Sequence, residues 1–493
     1  MASIRQLASQ TVLYGFTTIF ARLLNFALTP LHTDRIAKDD YGILNNAYSL
    51  IALLMVLLTF GMETAFFRFY NKEGQDKGAV FRTAVFFTLC TSATVMLLFG
   101  AFRDEITHFL RYEEHPQFLW WLLIIVAADA IAAVPLARLR ALNKPLRFLV
   151  VRLSTIGLMV ILNLVFFLVL PHWLEPDSQD WWAEWYRETN KVAFVLIANL
   201  IGNGLLLLFF VPDFIRQGLL PSKKLLKAML WYSAPLVIGF FAGVINEKAQ
   251  YQFMKFLLPE KQGDVAQGIF GAMMKIATFM LLFIQAFRFA AEPFFFARDG
   301  DFKDKIAQVL RYFVIVQSLI FVGLVCFTEI LQWTHFIDEK YWEGWHIVPV
   351  LLLANLFLGI NFNLGLWYKI ENRTRMGIYI ALWGLVFTVA GNLLLVPRYG
   401  YTGAAVATLV SYASMTGFAY YLNQKHHPAP YPVKAILSHL FVAVLIAAYI
   451  FYFQAADIFW GLAGFTSFLI YLALSERKSI HLIIDSYARD KSR

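Results

Sequence analysis

Charged side chains inside long apolar stretches define the chemistry open to this chain. Arg22 lies in FTTIFARLLNFALTP (16–30), Lys275 stands between Met274 and Ile276, and Arg68 and Arg288 sit at the ends of two other apolar runs. Three carboxylates share such settings: Asp129 in IIVAADAIAAVP (124–135), Glu63 in GMETAFFRFYNKE (61–73) and Glu247 in GVINEKAQ (243–250). An arginine near a bilayer centre costs roughly 2.5–3.5 kcal/mol on insertion scales, so each of these groups needs a partner. The spacing of Thr18, Arg22 and Asn25 puts them on one helix face. Arg288 adds a further polar group to the expected cavity wall. The excess of buried base points to an anionic cargo, with Arg22, Lys275 and Arg68 as diphosphate ligands, because Arg reads phosphate oxygens bidentately and Lys supplies a point charge. Ion pairs within the protein are the alternative. Asp129, Glu63 and Glu247 then serve either as compensating charges or as carriers of Na+ or H+.

The elements that position these groups are membrane spans. Of 493 residues, 59% are hydrophobic and only 15% charged, and mean hydropathy is +0.60. A soluble domain carries about 25% charge. Apolar stretches recur at 7–31, 43–67, 80–102, 117–137, 149–171, 192–211, 228–246, 265–287, 309–332, 346–368, 376–396, 402–422, 434–454 and 457–475. The expected architecture is an all-α polytopic membrane protein of about fourteen helices. The first run is too long for a signal peptide. Lys and Arg concentrate in alternate loops such as ARLRALNKPLR (137–147), which places both termini in the cytoplasm by the positive-inside rule. The opposite loops are acidic and rich in tryptophan, as in HWLEPDSQDWWAEWYRE (172–188) and THFIDEKYWEGW (334–345). The net charge of +9 is thereby a matter of topology and no sign of nucleic-acid binding. Cys90 and Cys326 read as two buried, reduced residues. His426 and His427 read as solvated loop residues, and no metal site is expected. No P-loop, HExxH or GxSxG motif occurs, so an enzyme is not expected.

Two internal matches share an offset near 228 residues. YGILNNAYSLIALLMVLLTF (41–60) pairs with QGIFGAMMKIATFMLLFIQAF (267–287), setting Gly42 against Gly268, and Asn143 and Asn163 pair with Asn372 and Asn392. The offset spans six helices, an even number, so the halves are parallel repeats. The expected organisation is an N-terminal six-helix lobe at 1–212, a cytoplasmic linker at 213–225 and a C-terminal six-helix lobe at 226–424. Two extra helices and a basic cytoplasmic tail follow at 425–493. Paired lobes with a site between them suit alternating access.

LTPLHTDRIAKDDYGILNNAYSL (28–50), GMETAFFRFYNKE (61–73) and NLLLVPRYGYTGAAVATLVSY (392–412) resemble segments of bacterial polysaccharide transporters. These oligosaccharide flippases belong to the multidrug/oligosaccharidyl-lipid/polysaccharide exporter superfamily. The resemblance implies two six-helix bundles around a V-shaped cavity, with two extra C-terminal helices. It implies a flippase that moves an undecaprenyl-diphosphate-linked oligosaccharide across the bacterial cytoplasmic membrane for cell-surface polysaccharide biosynthesis. Implied partners are that lipid-linked saccharide, membrane lipid, and a polysaccharide polymerase or glycosyltransferases, with the chain itself a monomer. No cofactor is implied beyond Na+ or H+ coupling. In the related lipid II flippases, cavity arginines on the first, second and eighth helices are functional. Arg22 matches the first by helix and depth, Lys275 stands as a lysine on the eighth, and Arg68 is the counterpart on the second. A cation-coupled multidrug exporter, a lipid II flippase and a non-transporting scaffold are the alternatives. The segment GYTGAAVATLVSY (400–412) reads physically as a close-packing block after a glycine break.

Overall fold

The computed structural model describes residues 15, 17, 19–174, 180–296, 302–371, 373–452 and 458–477. Twelve helices among these residues are long and apolar enough to cross a bilayer, which makes this a multi-pass membrane protein. The expected first span starts outside the described residues. Its described part, α1 (19–27), runs through a turn at Leu28 into a short helix, Thr29–Arg35. There follow α2 (Lys38–Tyr70), α3 (Lys77–Ala101), α4 (Gln117–Ala141), α5 (Pro145–Trp173), α6 (Lys191–Gln217), α7 (Lys223–Leu257) and α8 (Glu260–Arg288). The chain continues through α9 (Lys303–Cys326), α10 (Glu339–Ile370), α11 (Arg375–His426), α12 (Val433–Phe451) and α13 (Ile458–Ser475).

Two backbone breaks shape the bundle. At 52 residues, α11 would be roughly 78 Å long as a straight rod, more than twice a hydrocarbon core of about 30 Å. It is divided by Gly400, whose φ of 55° and ψ of −131° are not helical. Only glycine adopts this left-handed geometry cheaply. The two spans expected at 376–396 and 402–422 are the arms on either side. Beyond the break, Ala404, Ala405 and Ala407 are fully buried, and a Cβ on Gly403 would collide with the Leu395 carbonyl. The block therefore packs, as its small residues imply. The second break, in α2, is the left-handed pair Phe60 (φ 45°) and Gly61 (φ 67°). Gly61 there faces Ser233 and Val237 of α7.

The α2 and α8 helices pack closely, and α7 packs on both α2 and α11. The contact between α2 and α8 is reciprocal. A Cβ at Gly42 would strike the Asp264 carbonyl, and one at Gly268 would strike the Lys38 carbonyl. The two contacts exchange positions under one 226-residue shift, as at a two-fold interface, and this is the offset of the sequence match. The second match is mirrored too. The Asn163 side-chain amide donates to the Met159 carbonyl at 2.7 Å and that of Asn392 to the Thr388 carbonyl at 2.7 Å.

The two ends of the bundle differ as the loops predict. One is basic, where Arg138 and Arg147 converge on Asp213 at 3.3 and 2.6 Å. The other carries Trp181, Trp182, Trp333, Trp342 and Trp345. Three readings change. Residues 339–347 are a 3-10 helix, Glu339–Ile347, that reaches across to residues 33–38. His427 is no solvated loop residue: its Nδ1 lies 2.8 Å from Glu371 and Trp367 stacks over it. Cys90 is exposed whereas Cys326 is buried, so only one of the two cysteines behaves as a core residue. Of the tail, residues 478–493 lie outside the described residues, while Glu476 is buried against Arg311 and His439.

Candidate functional site: a cationic chamber between the halves

A chamber of about 310 Å³ opens where α1, α2, α5, α6, α7 and α8 converge. Its polar wall is built one helix at a time. Asn25 and His32 come from the first span, Asn45, Tyr48 and Ser49 from α2, and Asn163 from α5. Asn199 comes from α6, Lys248 and Tyr251 from α7, and Lys275 and Thr278 from α8. Each buried amide must satisfy its hydrogen bonds locally. Asn45, Asn163 and Asn199 each donate to the carbonyl one turn earlier, at 2.7 Å. Because the Asn163 amide nitrogen is so engaged, its oxygen accepts from His32 Nε2 at 2.8 Å. That fixes the imidazole orientation. Asn199 also donates to the Tyr48 hydroxyl at 3.1 Å. Ser49 donates to the Lys248 carbonyl at 2.8 Å, joining α2 to α7.

Among the described residues, no carboxylate lines this chamber. Lys248 Nζ is 3.0 Å from its neighbour Glu247. Lys275 makes no ion pair with any described residue. Neither Glu247 nor Asp129, two of the candidate compensating acids, pairs with it. Glu247 holds Lys248 and lies within electrostatic reach of Arg22. Asp129 lies within electrostatic reach of Arg152, and the nearby Asn203 amide donates to the Ile125 carbonyl at 3.2 Å. Glu63 is matched by Arg140 at 2.7 Å. Asp129 and Glu63 thus belong to a charge-balanced cluster inside the first half, whereas Lys275 faces the chamber and the fields of Lys248 and His32.

The other expected ligands are only partly gathered here. Asn25 lines the chamber. Arg22 is three residues away on the same helix, exposed, and electrostatically close to Glu247 and Arg288. Arg288 lies over the Phe362 ring at 4.9 Å. It is thirteen residues from Lys275, roughly 20 Å along α8. Arg68 stands apart, its guanidinium 4.2 Å over the Tyr232 ring near the basic end. Thr18 lies outside the described residues. Sequence reasoning missed His32, Asn45, Tyr48, Asn199, Lys248 and Tyr251. The available signal was asparagine inside apolar helices, which the bilayer disfavours as it disfavours charge.

At the tryptophan-rich end the chamber is sealed by contacts between the two halves of the chain. Lys38 pairs with Glu343 at 2.5 Å, Lys340 donates to the Asp34 carbonyl at 2.9 Å, and Tyr341 donates to the Ile36 carbonyl at 3.3 Å. Arg111 donates to the Lys255 carbonyl at 2.7 Å. Lys255 itself is buried, its ammonium 4.3 Å over the Tyr112 ring and 3.7 Å from Asp264. The Gly42–Gly268 contact lies in the same layer.

Residues 35–171 match a family model described as polysaccharide biosynthesis protein. No curated protein matches the chain. Among solved structures, a lipid II flippase, MurJ, in an inward closed conformation superposes with a TM-score of 0.70 at 15% identity, over 95% of this chain and 100% of that one. An inward-facing multidrug resistance MATE family transporter of the MOP superfamily gives a TM-score of 0.62 at 11% identity, over 85% and 96%. A MOP superfamily transporter from Pyrococcus furiosus, described as having a binding pocket of reversed polarity, gives 0.55 at 11%, over 85% and 95%. The chain has the fold of these flippases and transporters.

Proposed function

We propose that the protein is a flippase for a lipid-linked saccharide, carrying an undecaprenyl-diphosphate-linked oligosaccharide across the bacterial cytoplasmic membrane by alternating access. The observation that carries this reading is the chamber between the halves, lined by Lys275 and Lys248 and, among the described residues, by no carboxylate. A buried cation without an acid is stable where an anion visits. A diphosphate supplies that anion, and the surrounding asparagines supply further donors. The prenyl chain stays in lipid. A cationic drug would meet only repulsion from Lys275, which disfavours the multidrug exporter. The family model for polysaccharide biosynthesis proteins and the flippase fold support the same direction. In this reading the lobes are 1–212 and 226–424 joined by 213–225, and both termini are cytoplasmic. The sealed tryptophan-rich end then faces outward. Arg22, Arg68 and Arg288 mark the approach from the basic side. The protein performs no covalent chemistry, and its partners are the polymerase or glycosyltransferases that handle the same saccharide.

The test is reconstitution in liposomes with a fluorescent undecaprenyl-diphosphate saccharide, run under membrane potentials of both signs and with Na+ or H+ gradients. Movement of the labelled lipid to the opposite leaflet, absent in protein-free liposomes, is the expected result. No movement under any of these conditions, with correctly inserted protein, overturns the reading.

A further inference from the structure

A second cavity, of about 510 Å³, lies outside the chamber at the tryptophan-rich end, between α9, the 3-10 entry of α10 and the end of α12. Its lining divides in two. Gln332, Trp342, Glu343 and Trp345 form a polar and aromatic side, and Ile450 and Phe451 belong to the apolar side. His346 is fully engaged: Nδ1 meets the Glu343 carbonyl at 2.8 Å and Nε2 the Thr402 hydroxyl at 2.7 Å. It braces the wall. The groups left over are the Gln332 amide, the half-exposed Glu343 carboxylate and the Trp345 indole N–H. That N–H is buried without a hydrogen-bond partner.

The ligand chemistry follows from these groups. Among the described residues no lysine or arginine lines the cavity, so it offers no cation to a phosphate. Glu343 already holds Lys38 through Oε1, so its charge is balanced and a cation would have to displace that lysine. A neutral hydroxyl-rich ring meets neither obstacle. It donates to the second carboxylate oxygen and exchanges hydrogen bonds with the Gln332 amide, while its C–H face packs on indole. We propose that this cavity is a saccharide-binding site on the tryptophan-rich face, and that its occupancy is coupled through Glu343 to the Lys38–Glu343 tie between the halves. The proposal rests on the reading that the cargo carries a saccharide. A hydroxyl donated to the second carboxylate oxygen draws negative charge away from the Oε1 that holds Lys38, so the tie weakens without Lys38 being displaced and the sealed end opens more readily.

The experiment uses the full chain in lipid nanodiscs. Soluble mono- and disaccharides of N-acetylglucosamine, galactose, rhamnose and glucuronic acid are titrated by saturation-transfer NMR, with choline chloride as the cationic probe. Carbodiimide cross-linking of Lys38 to Glu343, read by peptide mass spectrometry, reports the tie. At least one saccharide is expected to bind saturably and to lower the cross-link yield at least twofold. Its affinity falls tenfold or more in both Trp345→Leu and Gln332→Ala, and stays unchanged in Lys275→Ala. The proposal is overturned if no saccharide in the panel binds, or if choline binds and the sugars do not. Binding that is lost in Lys275→Ala but kept in Gln332→Ala places the sugar in the central chamber and overturns it too. Saccharide binding with these variant effects, in a protein that fails to flip the prenyl-diphosphate lipid, would leave this site standing and remove only the flippase reading.

Discussion

Adding one methyl group at the tryptophan-rich end should open the molecule there. In Gly42→Ala the new Cβ would occupy the position of the Asp264 carbonyl and crowd the backbone of Gly268 at 3.1 Å. The obstacles are backbone atoms of a long helix, so no rotamer change relieves them. Overpacking of this kind costs about 1–3 kcal/mol. Alanine's better helix propensity does not offset that cost, because α2 is helical whether the end is sealed or open. The penalty falls on the sealed state alone and shifts the equilibrium toward opening by about 5–150-fold. The assay places a reporter cysteine at Ser49, a chamber-lining position, in a background of Cys90→Ala and Cys326→Ala. The rate of modification by a membrane-impermeant thiol reagent applied to the tryptophan-rich side is then measured. Gly42→Ala should raise that rate at least fivefold. Gly268→Ala should do the same, because its Cβ would strike the Lys38 carbonyl. The double variant should add little, since the second methyl enters an interface already separated. Unchanged rates in both single variants, with normal insertion, would refute the claim that this glycine pair seals the chamber.

Other perturbations test separate parts of the structure. Lys38→Met removes a partly exposed ion pair worth about 0.2–1 kcal/mol, so the same thiol assay should show at most a fivefold change. Asp129→Asn should lower the melting temperature by leaving Arg152 without its facing carboxylate, and Asp129→Asn/Arg152→Met should recover much of the loss. If Asp129→Asn alone retains full stability and abolishes gradient-driven transport, Asp129 is an ion carrier and no mere compensating charge. Glu476→Gln weakens the cluster of Arg311 and His439 that ties α9 to α12 and the end of α13. It should increase proteolysis near α13 without changing ligand affinity in the chamber.

Much of this fold is visible in sequence because the bilayer imposes a single rule. Each span must be long, apolar and helical, so composition and hydropathy alone locate nearly every helix. The sequence match at a 226-residue offset has a structural counterpart, because Gly42 and Gly268 each meet the other helix's backbone. The site is less visible. Lys275 stands out as a charge in an apolar run, but the asparagine wall around it comes from four separate helices, and nothing local in Asn45 or Asn199 says that they meet. Arg68 shows the converse: expected as a cavity ligand, its guanidinium lies over the Tyr232 ring of α7. The 3-10 helix Glu339–Ile347 looks like an ordinary acidic loop in sequence. Its role comes from Asp34 and Ile36, roughly three hundred residues earlier, and no local pattern encodes such a contact.

The central claim is that the chamber's cations hold the cargo's diphosphate. The most direct measurement is calorimetric titration of a water-soluble, short-chain prenyl-diphosphate saccharide into wild type, Lys275→Met and Lys275→Arg. A hydrogen bond to a charged group contributes about 1.5–3 kcal/mol. Lys275→Met should therefore weaken binding by about 10–150-fold, and Lys275→Arg should keep most of it, with the same protein fold throughout. Equal affinity in wild type and Lys275→Met would contradict the claim and return Lys275 to a structural role.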